Sequence, residues 1–455
     1  METSPALAGQ NPRGLVCQGK DMFSSWRKTL AHLLVPEGIA DPVEASNVRL
    51  LYVEVAWWGV ALGTYLSYLT VFAARLGASN FWIGLLSAGP ALVSIFWLLP
   101  AGRLVERQTR QMPILIRCMF TSRAFVLLMA LAPWLSPRHG GELLALLVIV
   151  QAIPSGIVNV AFTAMLPDAV SAERLGAVVS VRNAIMAVTS TLGTLVSVPL
   201  LAWVPFPANY QAVMALGFLS AYLSAYYVSR LRVPDRPALD PDLGPRPTHR
   251  PFLSLRAVRG VWQEQQEYAW FVVAAFVFHL GLYGAIPLFS IYWVRELHLS
   301  DAWISVLTVV WNASSVLASL AAPALIRRQG NRRVLAWSSA ALALYPIGTA
   351  CSRSAYPLLF LALAGGVVGA LMGITLFNRL IEVAPAARRA SYVGLYNAAI
   401  NGAVFGAPLV TTTLAGAKGV ATLMIASGVV RILGWLLFLV RGKGKGDARS
   451  GMERQ

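Results

Sequence analysis

Between residues 50 and 74 the chain places Glu54, Trp58, Ala61, Tyr65 and Tyr68 at i, i+4, i+7, i+11 and i+14. Further on, His279, Tyr283, Ile286 and Ser290 repeat that spacing. Such intervals gather side chains on one helical face. A carboxylate and an imidazole on these faces are groups that can hold or relay a proton, and aligned aromatic rings can wall a ligand. Each also has a structural reading: Glu54 as a solvated interfacial carboxylate, His279 as a hydrogen-bonded neutral imidazole, the rings as packing. Gln151, Ser155 and Asn159 add polar groups to a third apolar run, Asn378 to a fourth, and Trp311 and Asn312 to a fifth.

Catalytic chemistry is not written into these residues. There are no paired acids, no histidine cluster with metal-ligand spacing and no serine nucleophile with a suitable base, so no catalytic residue, metal or cofactor is expected. A G-x-x-x-x-G-K-[ST] loop is absent, which argues against an ATP-driven pump. Cys17, Cys118 and Cys351 lie far apart and read as free thiols.

The elements that carry these residues must be membrane helices. The sequence is 57% hydrophobic and 13% charged, and its apolar residues come in blocks. A span needs about 20 apolar residues to cross a hydrocarbon layer about 30 Å thick. Twelve blocks meet that length, near 50–74, 80–101, 112–134, 142–166, 175–203 and 209–229, then 269–294, 302–326, 334–351, 355–380, 390–414 and 418–440. They are apolar all round rather than alternating, which predicts helices and excludes a β-barrel. The division expected is an N-terminal segment over 1–49, a first bundle over 50–229, a connection over 230–268, a second bundle over 269–440 and a tail over 441–455. The connection, "RLRVPDRPALDPDLGPRPTHRPFLSLRAVRG", is too rich in Pro, Arg and Asp to span.

A formal charge of +17 invites a nucleic-acid reading, but its distribution opposes one. Lys and Arg crowd the termini, the connection and alternate loops, while the intervening loops carry only Arg75, Arg138, Arg295, Arg353 and Lys418. That bias orients a membrane protein and places both termini and the connection in the cytoplasm. No leader with an apolar core is evident at the N-terminus, so the first span serves as the insertion signal.

The two sets of six spans are duplicates. Trp82 and Trp303, Arg107 and Arg328, and Gln108 and Gln329 hold one register, 221 positions apart. Later, "SAERLGAVVSVRNA" at 171–184 matches "PAARRASYVGLYNA" at 385–398 in Ala172/Ala386, Arg174/Arg388 and Asn183/Asn397. Polar matches in register are hard to obtain from composition alone. The fold class expected is therefore an all-α membrane protein of twelve transmembrane helices in two six-helix bundles related by pseudo-twofold symmetry.

With that plan in view, "GRLVERQTR" resembles the loop between the second and third spans of the major facilitator superfamily. Gly102 takes the motif's first glycine, Glu106 its acid, Arg107 its basic residue and Arg110 the first of the closing pair; Thr109 and Gln111 depart from the pattern. Arg328 holds the corresponding basic place in the second half, and Arg327 stands where an acid would be. The resemblance covers about nine-tenths of the chain. It implies that Glu106 meets the eleventh span and helps hold the cytoplasmic side closed, and that the first, fourth, seventh and tenth spans line a central cavity. Glu54, Trp58, Tyr65, Gln151, Asn159, His279, Tyr283 and Asn378, with Asn312 from the neighbouring eighth span, are then pathway candidates.

Gly394, Ala398, Gly402 and Gly406 make a ladder of small residues on the eleventh span, and Gly176, Ser180 and Ala184 a similar one on the fifth. Such ladders let backbones approach closely where lipid supplies no hydrophobic drive. Arg123, Arg182 and Arg431 lie deep in their spans and need partners, carbonyls or water. The function expected is secondary transport of a small solute, with a lipophilic or amphipathic lean, by alternating access in the plasma or inner membrane. Its partners are that solute, the bilayer and, as a candidate, a coupling proton; the chain is expected to be a monomer. A lipid flippase on the same scaffold and a non-transporting receptor are the alternatives.

Overall fold

The computed structural model describes residues 41–106, 108, 110–234, 265–385 and 389–440. Twelve helices are long and apolar enough to cross a membrane. They are α1 (Pro42–Arg75) and α7 (Gln266–Glu296), with α2 (Asn80–Glu106), α3 (Gln111–Leu135), α4 (Gly140–Ala169), α5 (Ala172–Trp203), α6 (Ala208–Ser229), α8 (Asp301–Gln329), α9 (Asn331–Cys351), α10 (Ala355–Val383), α11 (Arg389–Lys418) and α12 (Val420–Val440). No strand occurs among the described residues. The face where α1 begins is called the near face below, and its opposite the far face.

Sequence and structure agree on every span and differ at some ends. The first helix starts at Pro42 rather than near residue 50, because the Asp41 carboxylate accepts a hydrogen bond from Val43 N at 2.9 Å and Pro42 suits the first helical position. The added turns are tied into the first half. Glu44 accepts from Ser171 N at 2.9 Å, Ser171 Oγ at 2.7 Å and Arg174 at 3.1 Å, a carboxylate at the start of α5 where the helix dipole favours one.

Helix pairing shows the duplication directly. In the first half α1 packs on α5 and α6, α2 on α4, and α3 on α4 and α6; in the second half α7 packs on α11 and α12, α8 on α10, and α9 on α10 and α12. Adding six to each helix number turns one list into the other. The main contacts between halves, α2 with α11 and α5 with α8, exchange under the same operation. The chain is thus two six-helix bundles related by a pseudo-twofold axis, as the repeat implied.

Close backbone approach holds each bundle. A Cβ added at Gly63 on α1 would sit 1.9 Å from Ser190 O on α5, and one at Gly281 on α7 would sit 2.4 Å from Ser427 O on α12. Only glycine fits at those crossings. The helical ladder of α1 widens to a π-turn over Leu62–Leu66, placing Tyr65 inside it; such turns often mark functional positions.

Candidate functional site

At the far face the two halves are locked. Arg75, on the last turn of α1, donates to Asp301 Oδ1 at 2.9 Å and to the carbonyl of Leu299. Arg295, on the last turn of α7, donates to Asn80 Oδ1 and to the carbonyl of Ala78. The two sets correspond under the repeat, Ala78 with Leu299 and Asn80 with Asp301. Asp301 also accepts from Tyr210 at 2.8 Å and Asn209 at 3.3 Å on α6. Below the lock, Thr70 and Ser290 hydroxyls meet at 2.8 Å, and Asn312 on α8 donates to Thr194 on α5 at 3.3 Å. All these interhalf bonds among the described residues fall in the far half of the helices.

Toward the near face the contacts along the same helix faces differ among the described residues. A Cβ on Gly84 of α2 would collide with Thr412 Oγ1 of α11 at 2.0 Å. Five helical turns nearer, a Cβ on Gly102 of α2 or Gly394 of α11 would meet nothing within 4 Å among the described residues. Gly102 lies eighteen residues from Gly84 and Gly394 eighteen from Thr412, so the two glycines hold matching positions on their antiparallel helices. The second seam repeats the arrangement: Thr194 and Asn312 touch, whereas a Cβ on Gly176 or Gly330, eighteen residues along, would meet nothing within 4 Å among the described residues.

Inside the first half the expected first-span stripe converges with α3, α4, α5 and α6. Glu54 is 4% exposed; one carboxylate oxygen accepts from Arg182 on α5 and the other from Ser224 on α6 at 3.2 Å. It is a buried ion-pair partner and not a solvated interfacial group. Trp58 lies under the Arg123 guanidinium, 4.3 Å from ring centre to Cζ. Gln151 donates to Ser122 O at 2.9 Å, Ser122 and Ser155 hydroxyls meet at 2.8 Å, and Tyr65 is buried beside Gln151. Asn159, two turns nearer on α4, is exposed.

Two parallel six-helix bundles, paired in this way about a central seam, agree with what sequence comparison finds: the profile of the Major Facilitator Superfamily matches residues 55–300 and 271–454. The chain belongs to that superfamily. No curated protein sequence matches it. Among solved structures it is similar to the nucleoside transporter NupG, with 15% identity, 89% of this chain and 100% of that chain covered, and a TM-score of 0.63. The D-xylose–proton symporter matches with 15% identity, 87% and 97% coverage and a TM-score of 0.63. An auto-inhibited POT family peptide transporter matches with 13% identity, 87% and 96% coverage and a TM-score of 0.64. At those identities the likeness establishes the fold.

As a member of the superfamily the chain is an integral membrane transport protein, and its remaining candidate residues fall into distinct places. His279 is buried; its Nδ1 lies 2.7 Å from Ala275 O, so that nitrogen carries the proton, and its ring stacks on Tyr283 at 5.8 Å. Asn378 donates to Asn331 Oδ1 at 3.3 Å while Asn331 donates to Thr375 O at 3.1 Å, clipping α9 to α10. Arg328 is exposed on the last turn of α8, where positive charge suits the helix dipole. Arg110 precedes α3 at the near face. Arg107 and the Glu106 side chain, the centre of the expected gate motif, lie outside the described residues.

Sequence reasoning passed over the far-face lock. Arg75 and Arg295 registered only as sparse loop charges. The signal was present: the register that pairs Trp82 with Trp303 runs back through Asn80/Asp301 and Ala78/Leu299.

Proposed function

We propose that the protein is a secondary transporter that carries a small solute across the membrane by alternating access. The observation that carries this reading is the graded seam: Gly84 against Thr412 in contact and Gly102 against Gly394 apart, on one register. A rigid-body tilt of one bundle that parts the first pair closes the second. The resting structure is the near-open state of that exchange, stabilised by the doubled arginine lock at the far face.

The charge bias of the loops makes the near face cytoplasmic, in a plasma or inner membrane. The Glu106 loop then closes that face in the other state, with Arg107 and Arg110 beside it, and Gly102 permits the approach of α11. Trp58, Tyr65, Gln151, Asn159, His279, Tyr283 and Asn312 border the route, and their aromatic share favours a lipophilic or amphipathic solute over a sugar.

Disulfide trapping tests the exchange without knowledge of the solute. In a background with Cys17, Cys118 and Cys351 replaced, a Thr70→Cys/Ser290→Cys pair, whose parent hydroxyls meet at 2.8 Å, should oxidise readily in the resting protein. A Gly102→Cys/Gly394→Cys pair should oxidise only as the near face closes, and more when the far-face lock is weakened by Asp301→Asn. If both pairs cross-link together regardless of that substitution, the two seams do not alternate.

A further inference from the structure

One buried cation of the first half is under-supplied with acceptors. Arg123 on α3 is 5% exposed. Among the described residues its guanidinium makes one hydrogen bond, from Nη1 to Ser122 Oγ at 3.3 Å, and its Nε is buried without a partner. The Nε/Nη2 edge therefore presents a free fork. Among the described residues Glu54 makes no hydrogen bond to it; the two Glu54 carboxylate oxygens accept from Arg182 and Ser224. Arg431 in the second half differs at the terminal nitrogens: its Nε is likewise buried without a partner, but Nη1 and Nη2 donate to the carbonyls of Leu342 at 3.0 Å and Leu282 at 3.3 Å.

A guanidinium stays protonated in a protein interior, and a charge left there without acceptors is strongly unfavourable. The surroundings are shaped for more than burial. Trp58 covers the guanidinium face, and Tyr65, Gln151 and Ser155 border it from α1 and α4. A polar track leads outward. Gln151, Ser155 and Asn159 stand one turn apart on α4, the first buried, the second half-buried and the third exposed toward the near end. An asparagine facing lipid is costly, so that end of the track opens on water.

We propose that Arg123 takes the carboxylate of an amphipathic organic anion, with the fork at Nε and Nη2 donating to both oxygens and Trp58 and Tyr65 packing the apolar body. A planar fork matches a carboxylate in two parallel hydrogen bonds. A primary amide of the same shape would bring its own donors against those of the arginine. This names the solute class for the transporter proposed above and rests on that reading.

The test uses the purified full chain and three acids, octanoate, 4-phenylbutyrate and 2-naphthoate, each against its primary amide, by thermal shift and tryptophan-fluorescence titration. At least one acid should bind tenfold or more tightly than its amide. Arg123→Gln should reduce that preference below threefold, and Arg431→Gln should leave it intact. Should Arg123→Gln not fold, Arg123→Lys keeps the charge and loses the fork, and acid binding should weaken at least fivefold. Equal binding of acids and amides, no recognition of any acid, or a preference that survives both Arg123 variants overturns the assignment. Failure of the cysteine pairs to alternate, with acid preference intact, would instead remove the transport reading and leave the anion site.

Discussion

Arg75 and Arg295 perform the same act from opposite halves of the molecule. Each ends the first helix of its own half and donates to a loop carbonyl and to the first-turn side chain of the other half's second helix. Because the donors are duplicates, the lock lies about the same pseudo-twofold axis as the bundles and resists tilting from both sides. The copies differ in one group: Arg75 meets the carboxylate of Asp301, whereas Arg295 meets the carboxamide of Asn80.

That difference gives a pair of opposed variants. Asn80→Asp supplies the missing charge, and a charge-assisted hydrogen bond is roughly twice as strong as a neutral one. A gain of about 1 kcal/mol shifts a two-state balance about fivefold, here toward the near-open form. Asp301→Asn should move it the other way by at least as much, since Tyr210 and Asn209 also donate to that carboxylate. Pulsed electron-resonance distances between labels at Gln108 and Arg332 report the near-face width. The same distance distribution in both variants would show that the lock does not set the balance.

Glu54 and Arg182 make the buried pair on which the first bundle depends. Removing one member of such a pair leaves the other charge uncompensated, typically at about 3–5 kcal/mol, whereas replacing both with apolar residues of similar volume is often close to neutral. Glu54→Gln alone should therefore lower the thermal unfolding midpoint in detergent more than Glu54→Leu/Arg182→Met does. A double variant as unstable as the single one would contradict this account.

How much of this was legible beforehand follows from which forces act locally. Span number, bundle division and the repeat are carried by long apolar runs and by matched residues such as Trp82 and Trp303, and all stand in the fold. Facing was harder. The stripe of Glu54, Trp58 and Tyr65 was visible as a stripe, but helical spacing does not say which neighbour it meets, and its acid proved to be paired to Arg182. Asn378 reads as a pathway residue because polar groups in a span face the bundle interior and the resemblance puts the tenth span on the cavity; its hydrogen-bond partner, Asn331, sits at a helix start that the hydropathy pattern did not include. The far-face lock escaped because arginines at helix ends are ordinary, and only the pairing of halves shows that these two cross between bundles.

Asn378 and Asn331 join α10 to α9 by a hydrogen bond. Asn378→Ala removes one interhelical hydrogen bond and frees Asn331 to turn, so a loss of about 1 kcal/mol is expected. Thermal unfolding should register it, while the acid-over-amide preference stays that of the parent protein. A changed preference would put Asn378 on the solute pathway.

Gly102 offers the sharpest variant of the seam. Among the described residues a Cβ there would meet nothing within 4 Å, so Gly102→Leu should fold and unfold like the parent protein. In the closed near face the same position lies opposite Gly394, where two backbones come together and a leucine side chain has no room. The variant should hold the near face open, abolishing the disulfide between near-face cysteines at Gly176 and Gly330 while leaving that between Thr70→Cys and Ser290→Cys unchanged. Ala at the same position should give an intermediate effect, because one methyl group is a smaller obstacle. If Gly102→Leu instead lowers stability and leaves near-face cross-linking intact, α2 and α11 do not close on this register, and the near-face seam must form through other residues.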